Sequence, residues 1–354
     1  MKRFVILGGG YGGLTIAQSL LEDSNIPDDV TITMIDRMPF QGLKTEYYAL
    51  AAGTASDLEL RVSFPSDERL KLVYGEVTEV DLERRLIELE GQDPIEYDGL
   101  AIALGCTDRY HGIEGAAEFS TSIQTFSATR ETYRQLCDVK PYGQVTIVGG
   151  GLSGVEVAAE LRESRPDLNI RILDRGPNIL SAFPTKLQKY VASWFNNHHV
   201  EMQGHISLNR LEQGVLYDQG HEILTDVTVW TAGIQPVPIV QRMELPKDNQ
   251  GRLIINDLHQ LPDHPEVFVV GDCASLPFSP SAQAAEAQGK QIAEVVRAAW
   301  HNKEPKLGSI KLKGVLGSLG KKSGFGLMGK RAIIGYVPRV LKSGVLWLSK
   351  HHLG

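Results

Sequence analysis

Apolar positions along this chain gather into short runs that alternate with glycine turns and helical stretches. FVIL at 4–7 leads into GGGYGGL and then the helical LTIAQSLLE; a second apolar run, VTITMIDR, closes on an acid. The same order returns at 145–175 as VTIV, GGGLSG, VEVAAELRE and NIRILDR. Strands buried on both faces read as continuous apolar runs, and their alternation with helices predicts parallel, doubly wound sheets. LAIALG at 100–105 and VTVWTAG at 227–233 mirror one another, each an apolar strand that stops at a small residue and a glycine. Between these landmarks, 41–60 reads as partly helical and 70–89 as a hairpin or meander turning at Glu83-Arg84. The 251–270 stretch reads as two strands, RLIIND and EVFVVGD, and 282–300 as a helix.

The two glycine turns carry chemistry. Gly8, Gly10 and Gly13 form a Gly-x-Gly-x-x-Gly between strand and helix, and so do Gly149, Gly151 and Gly154. The first glycine permits the tight turn, the second lets backbone approach a pyrophosphate, and the third lets helix and strand pack closely. The helix N-terminus offers free N–H groups and partial positive charge to the phosphates. Asp36 follows Gly13 by 23 residues and Asp174 follows Gly154 by 20, close to the offset at which an acid meets ribose hydroxyls. The predicted fold is therefore α/β, with two Rossmann-like dinucleotide-binding domains and a short basic C-terminal region. The first domain is expected over 1–113 and 252–304, the second over 114–251, and the basic region over 305–354.

Charge sharpens the picture of that last region. The chain of 354 residues has a net charge of −7, yet its last 50 residues hold ten Lys or Arg and no Asp or Glu. Such asymmetry points to an anionic surface as partner. Pro338 can open a helix. On its wheel Val340, Leu341, Gly344, Val345, Trp347 and Leu348 share one face, Arg339, Lys342, Ser343, Ser349 and Lys350 share the other, and Leu346 is the misfit. A basic amphipathic helix carrying Trp suits an interfacial anchor; packing on the body of the protein or on a second copy, as a homodimer, is the alternative. Nucleic acid is not expected as a partner, because the tail lacks aromatic interleaving and any recognised nucleic-acid module. The N-terminus runs straight into a strand with no cleavable apolar segment, and no apolar stretch is long enough to span a bilayer. Cys106, Cys137 and Cys273 form no C-x-x-C, so a reduced cytosolic setting is expected and a dithiol relay is not. No Cys/His cluster has metal-ligand spacing.

Taken together, these residues resemble the two-dinucleotide flavoprotein family that includes glutathione reductase. Within it they resemble the type II NADH dehydrogenases, single-subunit NADH:quinone oxidoreductases that pump no protons. The resemblance spans nearly the whole chain. It rests on GGGYGGL at 8–14, AAGT at 51–54, ALG at 103–105 followed by GIEGA, GGGLSGVEVAAEL at 149–161 and VWTAGIQP at 229–236. It continues with GRLIINDLHQLPDHPEVFVVGDCA at 251–274, AQAAEAQGKQIA at 282–293 and LGSLGKKSG at 316–324.

The resemblance implies FAD on the first unit, against Gly8, Gly10, Gly12, Gly13, Asp36, Thr45, Gly105 and Asp272. It implies NADH on the second, against Gly149, Gly151, Gly154 and Asp174, with Thr231-Ala232-Gly233 beneath the nicotinamide. Glu156, one turn into the second glycine helix, is placed where the two cofactors meet. Gln283 is implied as a quinone ligand, and Lys321 or Lys322 as the cation stabilising charge on the quinone. Asp174 favours NADH, although Arg175 beside it suits a 2′-phosphate. The implied activity passes a hydride from NADH to flavin and electrons on to quinone, at the cytoplasmic face of the cell membrane. The chain departs from the family pattern at Ala287, where a second glutamine is usual, at Lys44 and Glu46, and in having one tail helix rather than two. A flavin reductase with another acceptor is the nearest rival, and a nucleotide-binding sensor without turnover is the rival of a different class.

Overall fold

Two parallel sheets built on the same plan carry the chain, and the computed structural model describes residues 2–352. In the first, the strand Arg3–Leu7 lies between Thr31–Asp36 and Gly99–Ile102. Leu70–Tyr74 extends one side, and His264–Val269 with Gln260–Leu261 the other. In the second, Gln144–Val148 lies between Asn169–Leu173 and Val227–Trp230, with Val200–Gln203 and Thr121–Ser122 at the edges. Apart from the Gln260–Leu261 edge, every pairing in both sheets is parallel. Four of the five residues in each central strand are buried, because helices pack on one face and other segments, including an antiparallel insert, on the other. Each unit also carries a three-stranded antiparallel insert. The first is Val77–Asp81, Leu86–Leu89 and Ile95–Glu96; the second is Leu208–Glu212, Val215–Asp218 and His221–Leu224.

Several expectations need correction. Leu70–Tyr74 joins the parallel sheet beside Thr31–Asp36, so the 70–89 stretch is one sheet strand followed by the expected hairpin, Val77–Asp81 with Leu86–Leu89, turning at Glu83-Arg84. RLIIND at 252–257 forms no strand; Leu253 makes only isolated bridges to Lys247 and Ala274. The 282–300 stretch is helical over its whole length, Ala282–Trp300, with Ser281 capping it through Ala284 N–H at 3.2 Å. Within 41–60 the helix is the short Tyr47–Ala51.

The basic tail folds back on the body. Val315–Leu319, Ser323–Met328 and Arg331–Gly335 make an antiparallel sheet that the sequence reading did not foresee, and the helix Tyr336–His352 follows. That helix turns its apolar face outward, the orientation that an interfacial anchor needs. Val340, Leu341, Val345 and Trp347 are exposed, Trp347 by 58%. Lys342, on the basic face, is only 9% exposed, and the misfit Leu346 packs on the core. Leu348 and Ser349 lie outside the residues whose side chains are described. Among the described residues no helix is long and apolar enough to cross a membrane.

The helices Tyr11–Leu21 and Ala282–Trp300 meet at Gly289, where a Cβ would stand 2.7 Å from the Gly12 carbonyl oxygen and 3.0 Å from Thr15 Cβ. This contact holds the long helix against the first glycine turn. A Gly289→Val substitution overfills it and is expected to cost about 1–3 kcal/mol, read from the midpoint of chemical denaturation.

Candidate active site

The duplicated glycine turns have the same internal geometry. Gly8 and Gly149 both adopt positive φ, +98° and +109°. A Cβ on Gly8 would press on the Ala103 carbonyl, and one on Gly149 on the Thr231 carbonyl, so LAIALG and VWTAG end against equivalent glycines. A Cβ on Gly13 would overlap the Gly8 carbonyl oxygen, and one on Gly154 the Gly149 carbonyl oxygen. Asp36 Oδ2 accepts from Gly9 N–H and Asp174 Oδ2 from Gly150 N–H, both at 2.7 Å. The acids thus brace the loops from the positions where ribose hydroxyls are expected. Burial pushes the Asp36 carboxyl above its usual range.

These turns fit a dinucleotide. Both glycine helices start without a side-chain cap and without an acid in the first turn, at N-cap residues Gly10 and Gly151. Ser281 and Thr125, by contrast, cap the Ala282–Trp300 and Phe126–Asp138 helices with their hydroxyls. The bare N–H groups are therefore left for an anion. A Cβ at Gly10 or Gly151 would meet nothing within 4 Å, so backbone faces open space where a pyrophosphate needs it. Gln41, 2% exposed, has no partner on either amide atom among the described residues, an orphan that a ligand's polar atoms would satisfy.

Around the first turn, Thr45 Oγ1 lies 3.0 Å from the Tyr11 hydroxyl, and burial lifts that phenol to about 12. Asp272 sits in the turn Gly271–Cys273 at the end of the His264–Val269 strand. Gln288, fully buried, accepts from Gly271 N–H at 2.8 Å and so fixes the Asp272 turn. Gly105 and Gly233 mark the two crossings between units, where Cys106–Asp108 pairs antiparallel with Ile234–Pro236 and Arg109 N–H donates to Gly233 O at 3.0 Å.

Cys106 and Cys273 come near one another in the fold, with Cys273 Sγ donating to the Gly105 carbonyl at 3.2 Å. All three are free, and Cys137 is exposed on the Phe126–Asp138 helix. Cys106, with Lys44 Nζ 3.0 Å from its sulfur, is pushed up to about 12 by burial, and Cys273 is raised further by the same cause. Both stay protonated at neutral pH and are poor nucleophiles.

Sequence reasoning placed Glu156 correctly on the second glycine helix but missed what meets it. Lys342 reaches in from the tail helix and makes a short ion pair with Glu156 Oε1. Ser318 N–H, from the tail sheet, donates to the same oxygen at 2.9 Å. Glu46 Oε1 stands 3.5 Å from Lys342 Nζ, and Glu46 Oε2 accepts from the Tyr48 hydroxyl at 2.7 Å. The Lys342 ammonium lies 4.3 Å from the centre of the Tyr48 ring. Burial lifts the Glu156 carboxyl to about 7; Lys342 opposes the rise and Glu46 adds to it. The helical wheel puts Lys342 on the basic face without naming a partner, and only the unusual Glu46 in the sequence hints at a buried cation to match.

The other two residues expected on the acceptor side, Gln283 and Lys321, both bond to other parts of the chain. The Gln283 amide donates to Gly314 O at 2.8 Å and accepts from Lys313 N–H at 3.0 Å, so it fastens the tail's connecting segment. Lys321 is exposed and donates its backbone N–H to Glu163 at 2.8 Å, two turns beyond Glu156.

A family model described as pyridine nucleotide-disulphide oxidoreductase matches residues 2–296. The chain belongs to that family. It is 51% identical to the Bacillus subtilis NADH dehydrogenase-like protein YutJ, over 100% of both chains. It is 26% identical to the type II NADH:quinone oxidoreductase of Haemophilus influenzae, over 90% of this chain and 85% of that one. Among solved structures, NDH2 from Plasmodium falciparum in complex with NADH superposes with a TM-score of 0.85 at 17% identity, covering 99% of this chain and 96% of the other. The sulfide:quinone oxidoreductase of Aquifex aeolicus superposes with a TM-score of 0.81 at 19% identity, over 99% and 92%. Both likenesses confirm the α/β fold with its parallel sheets.

Removing Lys342 leaves two buried carboxylates facing each other. Lys342→Met is expected to cost about 3 kcal/mol of stability at pH 8. Adding Glu156→Gln should return at least about 1 kcal/mol, a coupling that a denaturant double-mutant cycle measures.

Proposed function

We propose that the protein is a type II NADH dehydrogenase, an FAD-dependent enzyme that passes electrons from NADH to a quinone. The observation that carries this reading is the duplicated glycine turn, uncapped, acid-braced and open toward a pyrophosphate in both units. The names of the relatives support the same reaction. FAD would lie on the unit formed by 1–113 and 252–304, held by Gly8, Gly10, Gly12, Gly13, Asp36, Thr45, Gly105 and Asp272. NADH would lie on 114–251, held by Gly149, Gly151, Gly154, Asp174 and Gly233. Both oxygens of the Asp174 carboxylate accept backbone N–H groups, from Gly150 and Gly176, which fixes an anion at the ribose position and disfavours a 2′-phosphate.

When bound, FAD supplies the two-electron chemistry that joins the nicotinamide to the quinone. The chain supplies position and protons. Oxidising NADH and reducing a quinone to quinol takes up one proton from the surroundings, and Glu156, lifted to about 7, can hold one at neutral pH. Lys342 places a positive charge beside it. Sulfide chemistry is disfavoured by the protonated state of Cys106 and Cys273.

The tail helix would dock on the cytoplasmic face of the membrane. Its polar side is spent on the body, so Tyr336, Val337, Val340, Leu341, Val345 and Trp347 are left facing outward, with the basic tail beside them. That is the amphipathic arrangement an anionic interface recruits. A second copy of the chain is the other occupant this face suits.

Purified protein should carry FAD, NADH should bleach its visible absorbance, and a short-chain quinone should restore it with steady turnover. Bleaching without any quinone response would make the protein a reductase for another acceptor; bound FAD with no bleaching would make it a sensor. For the tail, Val340→Glu with Val345→Glu should lower flotation with anionic liposomes at least about tenfold, from the apolar area withdrawn. Unchanged flotation would remove the helix as the anchor.

A further inference from the structure

The acids and the cation beneath the tail helix form a closed circuit. Glu46 meets Lys342; Lys342 meets Glu156; Glu156 accepts from Ser318 N–H; the Ser318 hydroxyl lies 3.1 Å from the Tyr48 hydroxyl; and Tyr48 returns to Glu46. These residues come from the Lys44–Glu46 turn, the Tyr47–Ala51 helix, the second glycine helix, the tail sheet and the tail helix. Each is buried, from fully for Ser318 to 9% exposed for Lys342. The charged groups nearest the circuit are Glu160, one turn along from Glu156 and bonded to Thr54, and Arg339, one turn before Lys342.

We propose that Glu46 is a positioning residue of the acceptor side: it holds the Lys342 ammonium in place whether or not Glu156 carries a proton, and so keeps the tail helix seated through turnover. The proposal rests on the reading of Glu156 as the proton-holding group. A lone Glu156–Lys342 pair would be neutral and self-satisfied. Lys342 would then keep Glu156 ionised, and protonating Glu156 would strand a buried ammonium. Glu46 changes both outcomes. With two carboxylates and one ammonium the buried cluster has an excess negative charge, which one added proton cancels. When Glu156 takes that proton, Glu46 remains as the counter-charge and Tyr48 remains beneath the ammonium. The helix depends on this, because Lys342, Leu346 and Arg339 are among the few contacts that turn inward from it.

The test compares the full-length holoprotein with Glu46→Gln, which keeps the volume and an oxygen for the Tyr48 hydroxyl, and with Glu46→Asp, which keeps the charge. Infrared difference spectra taken across pH follow the carboxylic-acid carbonyl band, assigned to Glu156 by its loss in Glu156→Gln. Hydrogen exchange follows the amides of 336–352. Glu46→Gln should lower the Glu156 midpoint by roughly one pH unit, and amide exchange in the tail helix should rise at the pH where Glu156 protonates. Glu46→Asp should restore part of both. A retained FAD content shows that the variants fold. The same midpoint and the same exchange in wild type and Glu46→Gln would overturn the proposal. A wild-type Glu156 with no acid band near neutrality would instead sink the reading beneath it, and the proposal with it.

Discussion

The closeness of backbone to backbone at the two glycine turns is the constraint on which the rest is built. With no side chain at Gly13 or Gly154, each helix sits directly on the carbonyl of its own loop. That contact sets the helix axis, leaves its first N–H groups bare, and brings the following strand's acid within reach of the loop's backbone. The ends of Gly99–Ile102 and Val227–Trp230 are then drawn to Gly8 and Gly149, which places both crossings, at Gly105 and Gly233, on one side of the molecule. The two units keep the same plan because each has to satisfy the same steric condition.

A second requirement is met by the tail. Glu156 and Glu46 come from different units and are both nearly free of solvent. Unaccompanied, they would repel each other in a medium that screens poorly. Lys342 supplies the opposite charge and Ser318 a backbone donor, so the C-terminal sheet and helix complete the polar interior of the domains they cover. Lifting Glu156 toward neutrality follows from burial, with Glu46 and Lys342 pulling in opposite directions.

Local rules made much of this readable in advance. The glycine turns, the acids at Asp36 and Asp174 and the helix Ala282–Trp300 all follow from spacing and periodicity within one or two elements. What stayed hidden depends on which distant segments meet. A helical wheel puts Lys342 on the basic face of the tail helix but cannot say what that face meets. Here the buried acids drew the polar face in. Gln283 resembles a ligand residue by motif, yet the tail's backbone claims its amide. RLIIND has the composition of a strand, but the sheet edge next to it is already filled by Gln260–Leu261. Leu70–Tyr74 was grouped with the hairpin that follows it because nothing in its own residues distinguishes a parallel partner from an antiparallel one.

The inward lysine also changes what the C-terminus is. Cutting the chain anywhere before residue 342 would strip the outward apolar face and, in the same stroke, withdraw the counter-ion from two interior carboxylates. A shortened protein would therefore lose a buried counter-ion as well as an outward surface, and the segment behaves less like a detachable appendage than like a keystone.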